Sequence, residues 1–506
     1  MNNDQIIGEN NPSNAYPTCT VWVAILSLVF TVLFSPISQS ATVSVNSTAD
    51  GASGGCPLRK AINSINLATT QPGCSEVGVY GDMDTIDFNF VGPGPFTIVL
   101  TAGQLEITKP VTITGIDSDL LIIDGNLSDR VFFVNNADNV TISFMTITRG
   151  RTVSTPAFDE KGGGIYASTS DNLKIVGAII TNNESLAFGG GILVENSFGF
   201  ELLSSQVLNN VSPLNAGVDL SGSTVNTISN SIISGNRSTR SIGGVGGGLV
   251  LFNSAGPPGN VILDTTISDN HSEGGNGHAG GVEIFQAGDT RFIRSTISGN
   301  SATGEGGGIR IRGNTGEVVY FINSTVSGNT AGTGGGIHGS RVSTNPYVIA
   351  LVHATIYDNN ATNTGGVFVE QVAPPNAVTV NNIGSIISNS TGGDCNHEFE
   401  FTVRIFPFFG DNSCSGVAFG NPQLGPLQNN PSGVTNTHAP APGSPLLKAS
   451  SSVHCSEVGG SLTDGLDQNQ NTRASPCTIG AAERAVDESN FLTIPIPGNG
   501  SVIINF

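Results

Sequence analysis

Glu283, Arg310, Arg312 and His338 are the residues of this chain whose types and spacing could support chemistry. Glu283, Arg310 and His338 each lie two positions after a run of glycines, and Arg312 follows Arg310 by two. If these runs mark successive turns of a repeating fold, the three side chains lie about 5 Å apart. A carboxylate, a guanidinium and an imidazole in such a group could exchange protons with a substrate. We interpret the group as a solvated ion pair beside a surface histidine, because exposed charges commonly pair without a catalytic role.

Other signals of catalysis are missing from the sequence. Hydrolysis of a glycosidic bond uses two nearby carboxylates, and lyases need a carboxylate cluster for a cation together with a basic proton acceptor. The chain has no adjacent Asp-Asp pair, no Gly-His-Gly and no acidic column along its repeats. Its glycine runs are not followed by the lysine of a phosphate-binding loop. We therefore predict no catalytic residue, no cofactor and no metal site.

Two short motifs recur about every thirty residues between residues 145 and 390. One is STISGN, Ser295 to Asn300, with variants such as STVSGN and SIISGN. The other is a pair or triple of glycines followed by alternating apolar residues, as in GGGIRI from Gly306. A regular period of this length indicates a stacked repeat architecture.

The alternating stretches predict short strands with one apolar face, and such strands must pair with the same strand of the next repeat. No segment between them has the length or pattern of a crossover helix. The chain must therefore coil around a single core, one repeat per turn, which predicts an all-β, single-stranded right-handed parallel β-helix. Nine turns are expected, extended by strand-like residues 85–133. Two inward columns are predicted: Leu263, Ile293, Ile322, Val352 and Ile383, and then Ile233, Ile267, Ile297, Val326, Ile356 and Ile387.

The asparagine that closes the STISGN motif should stack with its equivalents, because successive turns are in register. Each amide could then donate a hydrogen bond to the next and satisfy polar groups at a corner. The predicted asparagine ladder is Asn183, Asn210, Asn236, Asn270, Asn300, Asn329 and Asn359.

The residue two positions after the glycines should point outward in every repeat. This outward column is Tyr166, Leu193, Asp219, Val250, Glu283, Arg310, His338 and Phe368. A second outward group, Asp264, Arg294, Asn323 and His353, belongs to another sheet, and we interpret it in the same way as solvated surface.

The charge balance limits the partners. With 19 Lys and Arg against 39 Asp and Glu, the net charge is −20. Nucleic acid and acidic lipid are disfavoured, since both are anionic. Glycans or cell-surface proteins are the expected partners. Membrane contact is expected only through a signal segment or an unidentified anchor.

The N-terminus and the cysteines indicate an exported chain. Residues 21–34 are an apolar run, and Ser38 and Ser40 suggest signal cleavage before Ala41. The six cysteines after this segment lie outside the repeats, and their proximity predicts three disulfides, although six cysteines allow fifteen pairings. A metal site is the weaker alternative, because no CxxC accompanies them. The predicted pairs are Cys56 with Cys74, Cys395 with Cys414, and Cys455 with Cys477.

Three resemblances accompany these motifs. The GGGI and ISGN repeats resemble those of the polymorphic outer membrane proteins of bacterial surfaces. CPLRKAINSIN, from Cys56, is similar to the CSLREA domain of exported bacterial β-helix proteins, and its Leu58, Ala61, Ile62 and Ile65 form a helical apolar face that could cover one end of the coil. DQNQNTR (467–473) followed by CTIGAAE (477–483) resembles the closing segment of choice-of-anchor proteins. These resemblances imply a surface or secreted protein of a bacterium and no catalytic residue.

The sequence thus predicts a signal peptide (1–40), an N-terminal cap (41–84), a β-helix (85–390), a C-terminal cap region (391–484) and a tail (485–506). Within the cap region, FTVRIFPFF (401–409) is expected to be a lid over the end of the coil or an exposed partner site. The expected function is that of an exported structural or adhesion module, either at the cell surface or secreted outside the cell. The alternative is a polysaccharide lyase or glycoside hydrolase with the same fold.

Overall fold

The structure is a computed structural model that describes residues 39–51, 54–153, 160–240, 245–341, 346–370, 378–396, 401–414, 419–430, 433–450, 455, 465–483, 491–496 and 500–505. Residues 1–38 of the predicted signal peptide lie outside this part. Among the described residues, no helix is both long enough and apolar enough to cross a membrane.

The chain forms the predicted right-handed parallel β-helix, and each turn passes through sheet 1, sheet 2 and sheet 3. Sheet 1 has fourteen strands: Glu76–Val77, Thr42–Val45, Asp84–Phe88, Val111–Thr114, Thr141–Ser143, Lys174–Val176, Glu201–Leu203, Thr227–Ser229, Asn260–Leu263, Thr290–Ile293, Val318–Ile322, Val348–Val352, Thr379–Ile383 and Phe401–Ile405. Sheet 2 has twelve: Phe96–Val99, Leu121–Asp124, Thr146–Thr148, Ile179–Thr181, Gln206–Leu208, Ile232–Ser234, Thr266–Ser268, Thr296–Ser298, Thr325–Ser327, Thr355–Tyr357, Ile386–Ser388 and Phe408–Phe409.

Sheet 3 lies on the remaining side of the coil and has ten strands: Leu105–Ile107, Phe132–Asn135, Ile165–Ser168, Ile192–Glu195, Val218–Ser221, Leu249–Phe252, Val282–Phe285, Ile309–Gly313, Ile337–Arg341 and Val367–Val369. A short sheet 4 follows sheet 2 in six turns: Val211–Ser212, Arg237–Ser238, His271–Ser272, Ser301–Ala302, Thr330–Thr333 and Asn360–Asn363. The nine motif-bearing turns of sheet 2 are preceded by two further turns and followed by one, so the coil is longer than the motif indicates.

In-register stacking fills the core. Ile267 pairs with Ile297, which pairs with Val326, and this column continues through Ile356 to Ile387. All five are fully buried. This column was predicted correctly, and it is the inward face of sheet 2.

The other predicted inward column is wrong by one residue. Leu263 and Ile293 point out of the coil and are only partly buried, whereas Ile262 and Phe292 one position earlier are in the core. The core column of sheet 1 continues with Phe321 and Leu351. Strands of sheet 1 carry apolar residues at consecutive positions, so an alternation of period two does not distinguish their faces.

The asparagine ladder runs along the corner after sheet 2. Asn270 Nδ2 donates to Asn300 Oδ1 at 3.0 Å, and Asn300 Nδ2 donates to Asn329 Oδ1 at 3.0 Å. The same bond joins each neighbouring pair from Asn183 to Asn359. Gly299, just before Asn300, has φ of +65°, a conformation that glycine adopts without a steric penalty.

A second ladder, formed by hydroxyl groups, runs along the corner between sheets 1 and 2. Ser295 N donates to Ser324 Oγ at 3.1 Å, and Ser295 Oγ donates to the carbonyl of Ile262 at 3.1 Å. Ser295 is the first residue of STISGN. The motif therefore places one apolar side chain in the core and a polar side chain in each of the two flanking corners.

The N-terminal end of the coil is covered by a helix, Leu58–Leu67. The predicted apolar face is confirmed, because Leu58, Ala61, Ile62 and Ile65 are all buried. Cys56 and Cys74 form a disulfide that links the two sides of this helix. The segment predicted as an N-terminal cap also contributes the strand Thr42–Val45 to sheet 1.

The C-terminal end of the coil is closed by the last turn of the coil. Phe401–Ile405 joins sheet 1 and Phe408–Phe409 joins sheet 2, so residues 401–409 close the end of the coil as its last turn and not as a separate lid. Phe406 in this turn is 40% exposed. Phe408 and Phe409 are buried. The predicted disulfide between Cys395 and Cys414 ties this turn to the preceding one.

The described residues between 424 and 483, which we call the C-terminal strap, lie against the outer side of sheet 2. Thr325 Oγ1 donates to Gln468 Oε1 at 2.6 Å, and Ala481 N donates to Thr355 Oγ1 at 2.9 Å. DQNQNTR and CTIGAAE thus run along the side of the coil, because sheet 2 presents outward hydroxyl groups that need partners.

The strap has its own internal supports. The third predicted disulfide joins Cys455 to Cys477. Two strands, Leu424–Gln428 and Thr437–Pro440, form an antiparallel pair within it. In the predicted tail, Phe491–Ile496 and Gly500–Asn505 form another antiparallel pair.

We predict that Asn300→Ala lowers the free energy of unfolding by about 3 kcal/mol, since it leaves several buried donors and acceptors without partners. Asn300 also donates to the carbonyl of Ile267 at 3.0 Å and is fully buried. Chemical denaturation measures the effect. Asn360→Ala, at an exposed position two turns further along the coil, is the matched control and should change stability little. Equal effects of both substitutions would contradict the structural role of the ladder.

We also predict that Arg473→Ala releases the strap. The Arg473 side chain is 1% exposed, and its Nη2 donates to Asn323 Oδ1 of the coil at 2.6 Å and to the carbonyl of Gly480 at 2.9 Å. Without it, limited proteolysis should cleave residues 424–483 much faster while the coil stays resistant. Unchanged cleavage would show that other contacts suffice to hold the strap.

Candidate functional site

The outward face of sheet 3 brings the candidate residues together. Glu283 pairs with Arg310 and Arg310 with His338 across three parallel strands. Arg312 lies two residues further along the middle strand and pairs with Phe285. The glycine spacing therefore predicted the neighbourhood correctly.

The interpretation of these residues as solvated surface is wrong. Glu283 and His338 are each 1% exposed and Arg310 is 9% exposed. Aromatic rings on the same face exclude water from them: the His338 ring stacks on Phe368 with centroids 4.9 Å apart, and the Arg312 guanidinium lies 4.3 Å from the centre of the Phe285 ring. In a parallel sheet, equivalent side chains of neighbouring strands lie directly against one another and cover each other.

Glu283 is held by two cations. Arg312 approaches its Oε1 with Nη2 at 2.6 Å and Nε at 2.8 Å, and Arg310 Nη1 lies 3.5 Å from the same oxygen. Burial raises the pKa of the Glu283 carboxyl, while the two guanidiniums act in the opposite direction. Burial outweighs the two guanidiniums, so the pKa of Glu283 lies above that of a free glutamate and the carboxyl holds a proton more strongly.

Arg310 is shared with a carboxylate that our sequence analysis missed. Its Nη2 lies 2.8 Å from Oε2 of Glu305, and His278 Nδ1 lies 3.5 Å from the same oxygen. Glu305 directly precedes a glycine triplet, and His278 occupies the equivalent place one turn earlier. Aligning the residues before the glycines, as well as those after them, would have shown that His278 and Glu305 stack on successive turns.

His338 has a buried imidazole. Burial lowers its pKa to about 4, so the ring is neutral at neutral pH. Its Nδ1 is shielded from solvent and has no hydrogen-bond partner among the described residues. A neutral ring nitrogen of this kind can accept a proton or bind a metal ion.

Asp219, another member of the outward column, lies two strands before Glu283. It is fully buried, and it accepts hydrogen bonds from Asn215 Nδ2 and Ser221 Oγ, both at 2.7 Å. Burial raises the pKa of its carboxyl to about 6, against the effect of these two donors. The aligned repeats contain a second buried acid on this face after all.

A cleft of about 400 Å³ opens on this face between Asn215 and Arg312. Its walls combine apolar side chains with charged ones at the edge, a composition typical of ligand sites. The lining residues are Phe188, Glu195, Leu214, Asn215, Ser221, Arg240, Val245, Val250, Phe252, Glu283 and Arg312.

The second outward group is buried too, which corrects our interpretation of it as solvated. Asp264, Asn323 and His353 are 6%, 0% and 0% exposed. They occupy the corner between sheets 1 and 2, with φ near 50°. Arg294 forms two hydrogen bonds to Asp264 at 2.8 and 2.9 Å, and Asn323 Nδ2 donates to the carbonyl of Leu466 in the C-terminal strap. This group is an attachment surface for the strap.

A pair of aspartates meets at the last turn. Asp411 N donates to Asp394 Oδ2 at 3.0 Å, and Asp394 N donates to Asp411 Oδ2 at 3.1 Å. Burial raises the pKa of Asp394 to about 6. These reciprocal bonds lie beside the Cys395–Cys414 disulfide, so the pair fastens the end of the coil.

Comparison with known sequences supports the repeat architecture. Residues 122–277 match the model of the right handed beta helix region, and residues 294–312 match the Chlamydia polymorphic membrane protein repeat. No curated protein matches the chain significantly. The chain therefore folds as a right-handed β-helix, and residues 294–312 are similar to a repeat of the polymorphic membrane protein type.

Solved structures with a similar fold include enzymes and an adhesin. Pectate lyase Pel9A is 15% identical, with 87% of this chain and 96% of that chain covered and a TM-score of 0.49. The A-module of the mannuronan C-5 epimerase AlgE6 from Azotobacter vinelandii is 12% identical over 70% and 87%, with a TM-score of 0.40. PfbA, a surface adhesin of Streptococcus pneumoniae, is 11% identical over 66% and 80%, with a TM-score of 0.35. At these identities the likeness concerns the fold alone.

The raised pKa of Asp219 makes a prediction about stability and pH. An unfolded Asp loses its proton near pH 3.8, and the folded one near pH 6. The native state therefore holds the extra proton between these values, and stability from this group falls as the pH rises through that window. Relative to the wild type, Asp219→Asn should gain about 2 kcal/mol of unfolding free energy between pH 4 and pH 7. Denaturant unfolding of both proteins at both pH values measures this, and a constant difference would contradict it.

Proposed function

We propose that this protein acts outside the cytoplasm as a surface recognition or adhesion module, which binds a glycan chain along the outward face of sheet 3. The observation that carries the proposal is the cleft of about 400 Å³ on that face. A sugar ring offers apolar C–H faces and a rim of hydroxyl groups. Val250, Phe252 and Phe188 can meet the former, and Glu195 and Arg240 can meet the latter.

The shape of sheet 3 favours a polymer over a compact ligand. Its ten parallel strands, at about 4.8 Å spacing, give a face roughly 43 Å long. Aromatic side chains recur along it, as in the stacked pairs Phe133 with Tyr166 and Phe252 with Phe285. An extended chain lying across the strands could contact several of these rings along its length.

An extracytoplasmic location is supported by the three disulfides, which persist in oxidising compartments and are rare in reducing ones. The repeat of the polymorphic membrane protein type agrees with it. The resemblance of residues 56–66 to a domain of exported bacterial proteins points in the same direction.

A passive role is supported by the state of the acids. Both oxygens of Asp219 accept hydrogen bonds from neighbouring side chains, and Glu283 is held between two arginines. General acid and base catalysis requires groups that reach a substrate proton. Asp219 and Oε1 of Glu283 are instead engaged within the protein, and Oε2 of Glu283 is shielded from solvent.

A glycan array probed with the purified protein tests the proposal. Binding to at least one polysaccharide class is expected, and Phe252→Ala should weaken it about tenfold by removing a ring worth about 1.4 kcal/mol from the cleft. Phe198→Ala is the matched control, because Phe198 is 50% exposed, against 39% for Phe252, but lies outside the cleft. Absence of binding to every glycan, or equal losses in both variants, would refute the proposal.

A second candidate function is glycoside hydrolysis with inversion. Asp219 and Glu283 lie on the same face two strands apart, which separates their backbones by about 9.6 Å. The carboxyl groups of inverting enzymes are about 6.5–9.5 Å apart, and one of them has a raised pKa. Release of reducing ends from a bound glycan, abolished in Asp219→Asn, would favour this candidate. Binding without release would favour the passive module.

A further inference from the structure

We propose that Glu305, His338 and Glu370 form a binding site for a divalent transition-metal ion of the Zn²⁺ class. The three residues come from three consecutive turns at one end of sheet 3. One ligand atom of each, a ring nitrogen or a carboxylate oxygen, lies within 4.8 Å of the corresponding atoms of the other two. This site goes beyond the proposed glycan binding and does not depend on it.

The coil itself creates this grouping. Glu305 precedes the strand Ile309–Gly313, His338 lies in the next strand, Ile337–Arg341, and Glu370 follows the strand Val367–Val369. Glu305 and Glu370 approach His338 from opposite sides along the axis. The site therefore forms only when three successive turns are in register.

An independent observation concerns His338. Its side chain is almost completely buried, and its Nδ1 lacks a hydrogen-bond partner among the described residues. A buried polar atom without a partner costs about 1–3 kcal/mol, so native structures rarely retain one without a reason. A metal ion bound through Nδ1 would supply the missing partner.

The ligand types indicate the class of ion. Imidazole binds Zn²⁺ and related first-row ions, whereas Ca²⁺ and Mg²⁺ prefer sites made of oxygen ligands alone. One histidine and two glutamates give the three protein ligands of an open zinc site, with a fourth position for water.

The distances between the three candidate ligand atoms are compatible with such an ion after a small movement of the side chains. Ligand atoms of a tetrahedral Zn²⁺ site lie about 3.4 Å apart, so a pair at the 4.8 Å limit would need to approach by about 1.4 Å. Glu370 is exposed and can make this adjustment at little cost, while the buried His338 stays in place.

The local charge also permits a cation. Glu283, Glu305 and Glu370 carry three negative charges, and Arg310 and Arg312 carry two positive ones, so these five side chains sum to −1. Arg310 competes for Glu305, since its Nη2 lies 2.8 Å from Glu305 Oε2. When the ion takes Glu305, Arg310 keeps Glu283 as a partner.

Calorimetric titration of the metal-free, untagged protein with ZnCl₂ tests the site. One high-affinity Zn²⁺ per chain is expected, and Glu370→Gln should weaken binding about tenfold or more. Because Glu370 is exposed, this variant should fold normally, which circular dichroism verifies. His271→Ala is the matched control, since His271 is partly exposed on sheet 4 and bonded to Ser301.

Arg310→Gln supplies a test in the opposite direction. Loss of the competing cation should make Zn²⁺ binding about tenfold tighter, a gain that a purely structural salt-bridge cluster would not show. No Zn²⁺ binding by the wild type, or equal affinity in the wild type and Glu370→Gln, would overturn the proposal. Glycan binding can be measured separately, so failure of the metal site and failure of the proposed function are distinguishable.

Discussion

The structure depends on the vertical register between successive turns. Side chains at equivalent positions lie directly above one another, so that Ile267, Ile297, Val326 and Ile356 form a continuous apolar column. One residue of slippage would turn this column outward and expose it to water. The same register also places equivalent polar and charged residues directly above one another, and so it positions the ladders and the charged group on sheet 3.

Stacking makes opposite demands on the corners and on the outer faces. At the corners, identical side chains help each other, as Asn270, Asn300 and Asn329 do, because an amide is both a donor and an acceptor. Side chains of like charge repel one another when they are stacked. On sheet 3, acidic and basic side chains are therefore neighbours: Arg310 contacts both Glu283 and Glu305. These ion pairs allow the charges to be buried.

The resulting face combines a ligand-sized cleft with an imidazole that lacks a partner. Rings such as Phe285 and Phe368 shield the charged group from water and leave the cleft beside Phe252 open. The strap occupies the outer side of sheet 2 in the turns around Thr325 and Thr355. Sheet 3 is consequently the long face on which binding by the described part of the chain is proposed, for a glycan and for a metal ion.

The sequence by itself determined the coil, the asparagine ladder and the capping helix, because each depends on a local pattern of the chain. The disulfide pairs were predicted from proximity along the chain, and the structure decided among the fifteen possible pairings. The sequence also identified Glu283, Arg310 and His338 as neighbours, since they share one spacing from the glycines. Only the tertiary structure decided which face of sheet 1 is inward, that the charged group is buried, and that Glu370 approaches Glu305 and His338. Burial depends on what neighbouring turns and the distant strap place over a residue, and such contacts leave no period in the sequence.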